Sequence, residues 1–141
     1  MPLFAAQSRE QLRGAYLAAW HKFTAGQPLE PLEAQIAAVI AEHPEYVRWL
    51  ESGEQALRAE FAAHGEANPF LHLGLHLALR EQVATDRPRG IAQLHRALSA
   101  RLGAHAAEHA MLVPLAETLW EAHSGGRAPD EQAYLERLQR L

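Results

Sequence analysis

The chain has 141 residues, 48% hydrophobic and 21% charged, which suits one soluble globular domain with a core of its own. It carries no cysteine, so disulfides and thiolate metal sites are excluded and any bound metal must be held by nitrogen and oxygen. The formal net charge is −4, and the 13 basic residues are dispersed, with Lys22 the only lysine, so the basic patch that nucleic acid requires is missing.

The start, Met1 to Arg9, lacks a basic leader and a long apolar run, and is not expected to be a secretory signal. The first predicted helix runs from about Ser8 to Ala25. Ser8 and Gln11 form a capping box, and Leu12, Tyr16, Ala19 or Trp20, and Phe23 form an apolar stripe. Gly26 and Pro28 end it. The second begins near Pro31 and aligns Leu32, Ile36, Val39, Ile40 and His43 on one face, stopping before Pro44. Two short helices are expected over Pro44–Leu50 and Glu54–Ala63.

Asn68 as N-cap and Pro69 at the first helical position open a long helix to about Val83. Its apolar residues lie on all faces, which predicts a helix surrounded by others. A helix after Pro88 carries Ile91, Leu94, Leu98 and Leu102. His105–His123 follows, interrupted by Pro114, where a kink over Ala110–Pro114 is expected because proline removes a backbone donor and clashes with the preceding turn. A last helix starts at Pro129 with Tyr134, Leu135, Leu138 and Leu141 as its stripe. No alternating strand pattern, repeat or dividing linker is visible. The expected architecture is all-α: a compact single-domain bundle, residues 1–141, of about six to seven helices, with a buried central helix near residues 69–83. The longest apolar stretch, around Phe70–Leu79, is too short to span a bilayer and is broken by two histidines.

Those histidines carry the most information. His72 and His76 are four residues apart on the apolar helix, and His105 and His109 repeat the spacing on another. Residues four apart share a helix face, with Cβ atoms roughly 5–6 Å apart. Two imidazoles so placed can reach one ion, and a polar group on an apolar helix costs free energy unless something satisfies it. His72, His76, His105 and His109 are therefore the candidate metal ligands. Glu108 and His43 are secondary candidates, and Glu81, Glu117 or Glu121 could add an oxygen ligand or orient a ligand's second nitrogen. The metal would be a divalent transition ion such as zinc or iron, bound more weakly in acid because its ligands must be neutral.

His105-Ala106-Ala107-Glu108-His109 also matches the inverted zinc-peptidase pattern, but a chain with nine histidines can produce so short a motif by chance. The di-iron fingerprint Glu-x-x-His does not occur. There is no glycine-rich phosphate loop or nucleophile elbow, so no nucleotide cofactor is expected. His21, His64, His95 and His123 read as surface or rim positions, Trp20, Trp49 and Trp120 as core, and Arg80-Glu81 and Arg87-Pro88-Arg89 as solvated charges. Two other readings compete with the metal site. One is a non-enzymatic interaction module, a homodimer whose histidines form a hydrogen-bonded core network. The other is haem ligation by a core histidine.

The segments Pro31-Leu32-Glu33-Ala34, Ala41-Glu42-His43-Pro44-Glu45-Tyr46, Asn68 to Gln82, His105 to Met111 and Leu119-Trp120-Glu121-Ala122 resemble the small bacterial family called domain of unknown function 1841. The resemblance covers nearly the whole chain. It implies a cytoplasmic helical protein of about this length and points to no particular activity. Pro114 departs from the pattern expected of relatives.

Overall fold

The computed structural model describes residues 9–53 and 68–141. Among these, seven helices occur and no strand: α1 (Arg9–Thr24), α2 (Pro31–Ala41), α3 (Pro44–Leu50), α4 (Pro69–Thr85), α5 (Ile91–Leu102), α6 (Ala104–Gly125) and α7 (Glu131–Gln139). The chain is all-α, as its periodicity predicts. The Ser8 capping box and the helix expected over Glu54–Ala63 lie outside the described residues. None of the described helices is long and apolar enough to cross a membrane.

Two compact units divide the chain, Met1–Leu73 and Gly74–Leu141, and the boundary falls inside α4. In the first unit, α1 buries Leu17, Ala19 and Trp20, while α2 buries Ile36, Ala37, Val39 and Ile40. Leu32, expected on the α2 stripe, is 47% exposed because it sits in the first turn, beyond the buried stretch of the helix. Lys22 and Glu33 pair at 2.9 Å, and Glu33 also accepts from the Glu30 amide, satisfying that donor at the start of α2. Asn68 caps α4 as its position predicts, its Oδ1 accepting from Phe70 and Leu71. Phe70 is the aromatic anchor of this unit, touching Tyr16 and Trp49, with the buried Arg13 guanidinium 4.8 Å from its ring centre.

The second unit is built on Leu79, Ile91, Leu98, Ala107, Met111, Leu112, Leu115, Tyr134 and Leu138. Asp130, directly after Pro129, caps α7 by accepting from Ala133. Buried Tyr134 donates its hydroxyl to Gln82 at 2.6 Å, giving the polar tip of a core aromatic a partner. The long helix α6 runs through Pro114, whose ring is buried, so the backbone bond lost there is offset in part by apolar burial. Trp120 is the clear departure from expectation. It is 59% exposed, alongside Val113 at 57%, because both stand on the face of α6 opposite Met111, Leu115 and Ala122.

Within α4, Phe70, Leu73, His76 and Leu79, spaced three apart, are buried, as is Pro69 at its start. Leu71 is 48% exposed and the residues between are mostly half-buried. A histidine thus occupies a core position of α4, with no exposed surface at all.

Candidate metal centre

Pro44 creates the first element of the site. It cannot continue α2, so His43 stands between α2 and α3 with φ −128° and ψ 67°. That turn swings the imidazole back under α2, where Nδ1 lies 2.7 Å from the Val39 carbonyl. Among nearby acceptors the carbonyl can only accept, so Nδ1 carries the proton and Nε2 presents a lone pair. The ring is buried and stacks on Tyr46, with an interplanar angle of 2°. Burial, and secondarily the Glu45 charge, pushes the Tyr46 phenol pKa up, keeping that platform neutral. His72, in the first turns of α4, aims Nε2 at His43 Nε2 at 3.2 Å, the two rings nearly perpendicular at 77°.

In the second unit, His76 meets Glu108, 3.1 Å from Nδ1 to Oε2. At that distance the buried ring nitrogen and the carboxylate are partners. Arg80, one turn along α4, grips the same carboxylate with both arms: Nε to Oε1 at 2.8 Å and Nη2 to Oε2 at 3.0 Å. Burial alone would raise the Glu108 carboxyl pKa. The bonds from His76 and Arg80, and the Arg80 charge, outweigh it and bring the value down to about 2. His109 is the next residue on α6. Its Nδ1 lies 3.0 Å from the His105 carbonyl, so its Nε2 is also left with a lone pair, and its ring centre is 4.7 Å from that of His76.

The structure therefore brings His43 to His72, and His76 to Glu108 and His109. His105 is exposed on the first turn of α6, with its ring centre 4.3 Å from that of His109. Glu108 is committed to Arg80 rather than open to an ion. Glu117 and Glu121 belong elsewhere, at 4.0 Å and 2.6 Å from the Arg137 guanidinium. The inverted-peptidase reading fails on chemistry: a carboxylate with a pKa of about 2, held in a bidentate clamp, takes no proton from water near neutrality. Sequence reasoning missed the Arg80 clamp, because it joins residues 28 apart and nothing local marks it. His43, a secondary candidate by sequence, is the histidine that meets His72, and Pro44 marks the turn that places it.

Comparison with curated proteins and with solved structures gives no match. A family model does match, over residues 8–140, and it is the one that the sequence segments resemble. The chain belongs to the family described as domain of unknown function DUF1841.

Proposed function

We propose that this protein holds one divalent transition metal through His43, His72, His76 and His109. The observation that carries the reading is how three of these rings use their Nδ1 atoms. His43 and His109 each direct Nδ1 to a backbone carbonyl, and His76 directs it to a carboxylate. Metal-binding histidines are oriented in this way, the outer nitrogen tied to an oxygen and the other turned toward the ion. The 3.2 Å between His43 Nε2 and His72 Nε2 supports it further. Two nitrogens bound at about 2.0–2.1 Å on a tetrahedral ion stand about 3.3–3.4 Å apart. An all-imidazole donor set suits zinc or iron(II) and not magnesium or calcium.

With four imidazoles a tetrahedral zinc has no open position, so the reading favours a structural or carrier role over hydrolysis. Iron(II) would keep open positions and leave oxidative chemistry available. In this reading His43 replaces His105 as the fourth ligand, and Glu108 serves as the group that orients His76.

Titration of the apo-protein with cobalt(II) tests the proposal. Intense visible d–d bands that saturate at about one equivalent, and that are lost in His43→Ala and His76→Ala, are expected from a tetrahedral nitrogen site. Absence of bands in the wild-type chain would refute it.

A second reading uses the same 3.2 Å contact as an N–H···N hydrogen bond from His72 to His43, inside a metal-free interaction module. His76→Ala would then lower the melting temperature, and no variant would alter metal uptake.

A further inference from the structure

His76, His109 and His105 form a row of imidazoles that runs from core to surface. His76 is fully buried, His109 is half-buried and His105 is exposed. Their ring centres are 4.7 Å and 4.3 Å apart in succession. Neighbouring imidazoles at that spacing can share one ion during transfer. A hydrated cation sheds its waters one at a time as ligands replace them, so its first protein ligand must be one that water already reaches. A ring with no exposed surface cannot fill that role, whereas His105 can.

We infer that His105 is the entry ligand of the metal centre, capturing the ion from solvent and passing it inward to His109 and His76. The inference rests on the four-histidine reading given above. The position also weighs against permanent residence at His105. The ring stands in the first turn of α6, where the helix presents its partial positive charge, and a cation is not stabilised there. The hydrogen bond that orients His109 goes to the His105 backbone carbonyl, which any residue supplies. Replacing the side chain therefore leaves that bond in place.

A transient ligand lowers the barrier without changing the end states, so it must speed uptake and release by the same factor. The test mixes apo-protein with cobalt(II) in a stopped-flow instrument, follows the visible bands, and measures release into excess chelator. It uses wild type, His105→Ala, His105→Gln and His123→Ala, the last an exposed histidine at the far end of the same helix. Both His105 variants should take up and release cobalt about tenfold more slowly, with Kd unchanged. His123→Ala should match wild type. Wild-type rates in the His105 variants would overturn the inference while leaving the metal site standing. A weaker Kd with faster release would overturn it too, making His105 a resident ligand. Wild-type protein that takes up no cobalt would fail at the earlier step, and both readings would fall together.

Discussion

At the scale of single residues, the proposed centre depends on how each imidazole is held. His43 is directed by Pro44 and the Val39 carbonyl, and His76 by a carboxylate that Arg80 locks. Glu108→Gln removes the charge that Arg80 grips and the acceptor beside His76. It should cost about 1.5–3 kcal/mol in urea unfolding, the usual worth of hydrogen bonds to charged groups. It should weaken metal affinity about 10–100-fold, as loss of an orienting partner does elsewhere. The pH dependence follows in sign. The folded-state pKa of Glu108 is depressed to about 2, so its contribution is complete above the unfolded carboxylate range and is lost as pH falls through that range toward 2. The stability difference between wild type and Glu108→Gln should shrink over that window. A difference that stays constant down to the lower limit would show that the carboxylate charge contributes nothing.

At the scale of helices, start signals were legible because they are local. Asn68-Pro69 opens α4 and Pro31 opens α2, as their chemistry requires. Asn68→Ala should destabilise by about 1 kcal/mol, seen as a Tm lower by roughly 2–4 °C. Which face of a helix is buried was legible only where the apolar stripe is narrow. On α6, apolar residues occur all round, so composition could not tell Trp120 from Met111; the fold exposes one and buries the other. Trp120→Gln should therefore change stability by less than about 0.5 kcal/mol, whereas Trp20→Ala, at a buried position, should cost about 3–5 kcal/mol. Equal losses at the two positions in denaturant titrations would contradict this assignment of faces.

At the scale of the whole molecule, helix content and family membership follow from pattern alone. The all-α class needs only a 3.6-residue period and the absence of alternation. The site is a different matter. Helical spacing singled out His72/His76 and His105/His109, because an i, i+4 pair is a local relation. Spacing could not show that His109 packs against His76 while His105 faces water, nor that a residue at the end of α2 would stand opposite His72. Those are consequences of tertiary packing, on which one sequence carries no local signal.

Elemental analysis of protein purified without a tag or strong chelator tests the central claim most directly. The four-histidine centre predicts close to one equivalent of zinc or iron in wild type and little or none in His43→Ala and His76→Ala. Less than about a tenth of an equivalent of any transition metal in folded wild-type protein would contradict it.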